Sequence, residues 1–424
     1  MFPLLLKKPF RTIIDGTYII GFLSPMDSSF YKADSTIYDL FSKRSYRNEE
    51  EVFAQLAEHS TGSINYALQL VNKHSALFLA KSSNQIQLTQ HYTVSVLTLN
   101  MTYACNFACE YCFEGESTRS YSSMNESTAE LAIVWFLNQL GDKGGKIIFT
   151  GGEPLLNFKV IKKVVHLTKC NNISYLIKTN GSLITDKVLE YLVTNDIELS
   201  LSLDGNKYVN DKHRKQKNGV GSYDEIYKVL ETVRTIYPAY INRIYVNAVV
   251  TNETINYIAK SDEFLTSLSL SGYSIKPVMH QDLNLDKIGI EEYVSKYYWP
   301  ALMKQSNGTN VKICGIGHKQ VCVDWDGTIY PCYRLCGQKE YIIGSIYDEN
   351  SYLQKNPQLE KIYQRESSNQ CENCYAKTVC VSGCYADKLN YENCYEDPSV
   401  FIFDGIIKYD LLHDNKYKLL PLLS

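Results

Sequence analysis

No stretch of this chain reaches the roughly 18 uninterrupted apolar residues that a helical bilayer crossing needs, so a membrane protein is not expected. No internal repeat and no low-complexity linker interrupts it, so solenoids and tethered modules have no support. Charge of one sign is missing too. The 43 Lys and Arg nearly balance 46 Asp and Glu, a net −3, which gives no reason to expect a nucleic-acid binder. The opening Met1-Phe-Pro-Leu-Leu-Leu-Lys-Lys places its charges after a very short apolar run, the reverse of a secretory signal, and a cytoplasmic protein is expected. Residues 1 to about 90 lack cysteine altogether.

Cysteine is abundant beyond that point. The chain of 424 residues holds 13, with a 45% hydrophobic composition that suffices for a core without disulfide staples. Two to four domains are expected at this length. In a reducing compartment, clustered cysteines read as metal ligands. Cys170 stands apart from the others and reads as a buried, inert helix residue. The 34 Tyr are spread along the chain and read as half-buried packing residues.

The densest cluster is Cys105-Asn-Phe-Ala-Cys109-Glu-Tyr111-Cys112. Three thiolates at these spacings can hold three irons of a [4Fe–4S] cube and leave the fourth iron open to a substrate or cofactor. With Tyr111 before the last Cys, the run resembles the signature of the radical SAM superfamily. That resemblance implies S-adenosylmethionine (SAM) on the open iron and its reductive cleavage to a 5′-deoxyadenosyl radical.

Alternating elements surround this loop. Val94-Ser-Val-Leu-Thr-Leu-Asn100 reads as a strand leading into it, 127–140 as an amphipathic helix, and 146–150, 173–178, 197–203 and 244–250 as strands at βα intervals. An α/β parallel sheet follows from that order. Together with the Cys loop it resembles the partial (β/α)6 TIM-like barrel of radical SAM enzymes, here over residues 91–305. Thr17-Tyr-Ile-Ile-Gly-Phe-Leu and Phe30-Tyr-Lys-Ala read as strands, followed by helical spacings at 35–42 and 48–58. This small α+β unit, residues 1–90, resembles the winged-helix-like leader-recognition element of peptide-modifying relatives; an ordinary extension packed on the next domain is the alternative.

Gly151-Gly-Glu-Pro154 follows the strand ending at Thr150. Two glycines allow a sharp turn and close approach of backbone to a ligand. The resemblance gives Gly151, Gly152 and Glu153 the methionine amino group of SAM. It places Asn180 and Ser202, at the ends of the third and fourth strands, near the ribose. It sets Arg214 against the methionine carboxylate, with a solvated surface charge as the alternative. Tyr111 and Phe113 would flank the adenine, with Val249 beneath.

In a C-terminal domain over 306–424, residues from about 310 to 400 are loop-rich, with a hairpin at 319–323 and 329–330 around Asp326-Gly327, and 400–424 reads as one terminal helix. Cys314-x12-Gly327-x4-Cys332, Cys371-x2-Cys374-x5-Cys380-x3-Cys384 and Cys394 are similar to the seven-Cys SPASM extension of peptide and protein maturases. That similarity implies two auxiliary clusters, one on Cys314, Cys332 and Cys384 and one on Cys371, Cys374, Cys380 and Cys394, hence three [4Fe–4S] clusters in all. The fourth ligand of the first auxiliary cluster stays open: Cys322, Cys336, or an iron left free for a substrate thiol. Cys322 reads equally as a packing residue. A four-thiolate zinc site is the competing metal reading.

The expected activity is oxidative maturation of a ribosomal precursor peptide, most readily a Cys thioether crosslink, with carbon–carbon crosslinking beside it. The partners expected are that peptide and an external electron donor such as flavodoxin or ferredoxin. Formylglycine formation on a sulfatase is the second enzyme reading. A noncatalytic iron–sulfur or zinc scaffold is the reading from another class. No catalytic acid or base is identified.

Overall fold

The computed structural model describes residues 10–14, 17–23, 30–33, 94–112, 121–140, 144–278, 315–317, 319–348 and 417–419. Strands β1 (Phe10–Ile14), β2 (Thr17–Leu23) and β3 (Phe30–Ala33) form an antiparallel meander. The helical spacings expected at 35–42 and 48–58 lie outside the described residues.

The body of the molecule is one open sheet. Strands β4 (Val96–Asn100), β5 (Gly145–Thr150), β6 (Ile173–Thr179), β7 (Glu198–Ser202), β8 (Ile244–Val250) and β9 (Gly272–Pro277) lie side by side in chain order, all parallel. Helices α1 (Glu126–Leu140), α2 (Phe158–Thr168), α3 (Asp186–Thr194), α4 (Lys207–His213), α5 (Tyr223–Ile236) and α6 (Ile258–Ser267) fall in the connections. The sheet runs on past β4 and does not close, so the expected six-stranded partial barrel is what the chain forms.

Local chemistry accounts for the elements. Asn125 Oδ1 accepts the Thr128 amide at 2.8 Å and starts α1, whose Ala129, Ala132, Ile133, Phe136 and Leu140 are buried at helical spacing. Thr185 caps α3 and Asn206 caps α4 through their side-chain oxygens. In β8 every second residue is buried: Ile244, Val246, Ala248 and Val250 join the core. The intervening Tyr245, Asn247 and Val249 face a cavity.

The C-terminal hairpin, β10 (Gln320–Val323) and β11 (Thr328–Tyr330), forms as the sequence indicates. Its placement was not expected: β10 pairs in parallel with β4, and a short β12 (Gly344–Ser345) pairs with β11, so this region extends the barrel sheet.

Two expectations are corrected. The terminal stretch contains a strand, β13 (Tyr417–Leu419), which pairs in parallel with β3. Backbone pairing with that strand prevails over the local helical pattern. Cys170 is exposed: α2 ends at Thr168 and the chain turns through Cys170 and Asn171, off the buried stripe of Val160, Ile161, Val164, Val165 and Thr168. Among the described residues no helix is long and apolar enough to cross a membrane.

Candidate functional site

The loop after β4 is fixed by its backbone before any metal is considered. Gly152 N–H donates to Thr102 O at 2.8 Å and Glu153 N–H to Ala104 O at 2.9 Å, which ties the cysteine loop to the turn after β5. Ala108 N–H donates to Lys215 O at 2.8 Å, which ties its other side to the segment after α4. Phe107 is wholly buried and anchors the loop between its thiols. Close approach requires glycine at the turn: a Cβ on Gly152 would lie 2.4 Å from Ala104 O, and on Gly151 (φ +134°) 2.3 Å from Thr102 O.

Cys105, Cys109 and Cys112 are half-buried and line a cavity of about 740 Å³ together with Gly151, Gly152, Asn180, Ser202, Arg214 and Val249. Tyr111 also lines it. Phe113 lies outside the described residues, as do Cys314, Cys371, Cys374, Cys380, Cys384 and Cys394. Cys105 Sγ accepts the Phe107 amide at 3.4 Å, the amide–sulfur contact that a thiolate favours. Among the described residues no three His, Cys, Asp or Glu side chains gather round one metal ion. A four-iron cube is held at separate corners, and soft thiolates on one wall of a cavity suit it.

Glu153 is wholly buried and does not line this cavity. Its Oε1 accepts Thr179 Oγ1 at 2.7 Å and Leu155 N at 3.0 Å, and its Oε2 accepts Asn180 N at 2.8 Å. These bonds join the turn after β5 to the end of β6. Burial pushes its carboxyl up to about 7 against the pull of those donors. The linkage sign follows. Below the usual 4.5 the group is protonated folded or unfolded; as pH rises to about 7 the folded state holds the extra proton, so stability falls. In urea unfolding of cluster-free protein, wild type is expected to lose about 2 kcal/mol relative to Glu153→Gln between pH 5.5 and 8.5. A difference independent of pH would contradict this.

Asn180 donates to Asn106 Oδ1 at 2.9 Å and accepts from Ser182 Oγ at 2.7 Å, so it positions the cysteine loop from the end of β6. Arg214 is buried. Its Nε lies 3.0 Å from Asp204 Oδ2, and its guanidinium sits over the Tyr111 ring, 5.3 Å from the centroid. Asp204 Oδ2 also accepts the Tyr111 hydroxyl, while its Oδ1 accepts Val249 N at 2.8 Å. Burial pushes the Tyr111 phenol well above the usual tyrosine range, so it remains a neutral donor. Next to this group, His213 bridges Glu110 Oε2 at 2.9 Å and Thr251 Oγ1 at 3.0 Å.

Sequence reasoning passed over Asp204, His213 and Asp324 as site residues. Asp324, in the turn after β10, accepts Asn100 Nδ2 at 2.7 Å and Tyr103 Oη at 2.8 Å, clamping the C-terminal region to the cysteine loop. Asp204 was legible as part of Ser202-Leu-Asp204-Gly205; Asp324 needed the fold. Cys322 is wholly buried in β10, and Cys336 Sγ lies 3.4 Å from its Sγ. Burial, then the neighbouring Cys322, pushes the Cys336 thiol well above its usual range. Cys332 is half-buried next to this pair, at the turn that leads to Tyr333 and Arg334.

Comparison with known proteins adds to this geometry. Residues 99–265 match the radical SAM superfamily, and 314–375 match an iron–sulfur cluster-binding domain, SPASM. An uncharacterised protein of Methanocaldococcus jannaschii is 32% identical over 288 residues, covering 64% of this chain and 95% of its own. The chain belongs to the radical SAM superfamily. Two further relatives share less identity. A cysteine-type anaerobic sulfatase-maturating enzyme of Clostridium novyi is 25% identical over 72% of this chain and 91% of its own. The radical SAM cyclopropyl synthase TigE of Paramaledivibacter caminithermalis is 25% identical over 86% and 84%. Among solved structures, anSMEcpe with bound AdoMet superposes with a TM-score of 0.61 at 19% identity, covering 75% of this chain and 93% of that one. Streptococcus suis SuiB bound to precursor peptide SuiA superposes at 0.54 and 14%, covering 92% and 98%. The fold is therefore that of radical SAM enzymes with an iron–sulfur extension, and the cysteine loop and glycine turn occupy the carboxyl ends of its strands, where parallel α/β enzymes place their chemistry.

Proposed function

We propose that this radical SAM enzyme matures a ribosomally made precursor peptide and installs a crosslink, most readily a Cys thioether. The observation that carries the reading is the shared cavity: three thiols, the Gly151-Gly152 turn and the strand-end polar groups open onto one space large enough for a cofactor and a substrate segment. When bound, the cluster and SAM supply a 5′-deoxyadenosyl radical that removes a hydrogen atom from the substrate. The residues present hold and orient these groups. Cys105, Cys109 and Cys112 would ligate the cluster, while the backbone at Gly151 and Gly152, with Asn180, Ser202 and Arg214, would hold SAM. Glu153 supports that pocket through Thr179 and Asn180. Asp204 fixes the orientation of Arg214 and Tyr111.

The division proposed is leader recognition by 1–90, barrel chemistry by 91–305, and two auxiliary [4Fe–4S] clusters on 306–424. An external flavodoxin or ferredoxin supplies electrons in the cytoplasm. Truncation of residues 1–90 is expected to weaken precursor binding by at least about tenfold, some 1.4 kcal/mol, with a smaller effect on SAM cleavage. Equal affinity before and after truncation would refute leader recognition. The likeness to sulfatase-maturating enzymes supports formylglycine formation as the second reading. Coexpression with any short Cys-containing peptide that a search of the neighbouring genes finds separates the products by mass spectrometry. Loss of two hydrogens with a thiol that no longer alkylates indicates a thioether. The same loss with a reactive thiol indicates a carbon–carbon bond, and an aldehyde indicates formylglycine.

A further inference from the structure

The inner face of this sheet sets polar and charged side chains among apolar ones, where a closed β/α barrel would be filled with branched aliphatic side chains. Alternate residues of three adjacent strands line the cavity: Lys178 on β6, Ser200 on β7 and Asn247 on β8. Lys178 pairs in register with Ser200, and Asn247 donates to Ser200 Oγ. The lining is also strongly cationic. Lys178, Arg214, Arg243, Lys276 and Arg334 face the cavity, against one carboxylate among the described lining residues, Glu198. Glu198 is already engaged by Lys146 at 2.6 Å and Arg243 at 3.6 Å. Arg214 is paired with Asp204 and Arg243 with Asp196. A chain of net charge −3 has thus gathered positive charge inside its cavity.

Lys178 differs from the paired cations. It is half-buried on the cavity wall, and its ammonium lies 4.3 Å from the centroid of the Tyr333 ring. No carboxylate pairs with it among the described residues. A ring face compensates a partly desolvated ammonium only in part, and a carboxylate would complete its shell with charge-assisted hydrogen bonds. Tyr333 comes from the C-terminal region and Lys178 from the barrel, so the pair sits where the two meet over the cavity.

We propose that Lys178, backed by Tyr333, anchors an Asp or Glu side chain of the peptide substrate inside the barrel. The enzyme would then select an acidic residue close to the position it modifies. This rests on the reading of the chain as a peptide-modifying enzyme and names the chemistry of its substrate.

The probes are acetylated, amidated decapeptides on one Gly/Ser/Tyr/Cys scaffold with a single central Asp, Glu, Asn, Gln or Lys. Each carries a neutral dye, and binding to the reconstituted full-length enzyme is read by fluorescence anisotropy in the presence of SAM. Wild type is expected to bind the Asp or Glu peptides about tenfold more tightly than their amide isosteres, as a charge-assisted bond in a partly buried site would give. Lys178→Met should erase that difference and Lys178→Arg should retain it. Three results would overturn the proposal: no carboxylate preference in wild type, including no measurable binding by any peptide; the same preference in Lys178→Met; or a tenfold weakening of SAM binding by Lys178→Met, which would assign the lysine to the cofactor. SAM cleavage by wild type is measured in parallel. Its absence would remove the enzymatic reading while leaving the binding preference to be scored separately.

Discussion

Single replacement of Cys105, Cys109 or Cys112 by Ala is expected to reduce 5′-deoxyadenosine formation to the rate of an enzyme-free control. Three thiolates are the minimum that holds a four-iron cluster with one open iron, and removing one leaves two irons without a protein ligand. The loop itself should survive, because its shape comes from the buried Phe107 and from backbone bonds to Gly152, Glu153 and Lys215. Circular dichroism should therefore be unchanged. Iron should fall from about twelve per chain to about eight in the triple variant if the two auxiliary clusters are present. Full cleavage activity in any single variant would show that these thiols do not hold the reacting cluster.

Gly152→Ala is the second substitution with a large expected effect, and its cause is steric. The new Cβ would sit 2.4 Å from Ala104 O and 2.7 Å from Tyr103 O, backbone atoms of the cysteine loop that cannot rotate away. Loop and turn must separate, which breaks the Glu153 N–H to Ala104 O bond and moves Cys105 relative to Gly151. A destabilisation of about 2–3 kcal/mol is expected, together with weaker SAM binding. Gly219→Ala is the control. Gly219 has φ +83° and nothing within 4 Å of a Cβ, so its cost is that of backbone strain alone, about 1 kcal/mol. Denaturant unfolding separates the two. Equal losses in both variants would mean that the turn does not need close contact with the loop.

Much of the site was legible because its signals are local. The three-Cys run, the two glycines after β5 and the polar strand ends can each be read within a few residues. The strand β8 alternates clearly as Ile-Tyr-Val-Asn-Ala-Val-Val. By contrast β9, Gly-Tyr-Ser-Ile-Lys-Pro, carries a Gly and a Pro and has no clean alternation; its pairing with β8 makes it a strand. Asn100 and Asp324 are 224 residues apart and meet only because β10 adds to the sheet beside β4. Lys178 looked like an ordinary strand residue. Its significance appears when Ser200, Asn247 and Tyr333 surround the same cavity. Glu153 shows the opposite case: the motif was legible, and the fold shows its carboxylate occupied by Leu155, Thr179 and Asn180.

The most direct test is anaerobic incubation of the reconstituted wild-type chain with SAM and a low-potential reductant, followed by chromatographic assay of the nucleoside product. Formation of 5′-deoxyadenosine, abolished by Cys109→Ala, is the predicted result. A chain that carries its iron and yields no 5′-deoxyadenosine would contradict the account.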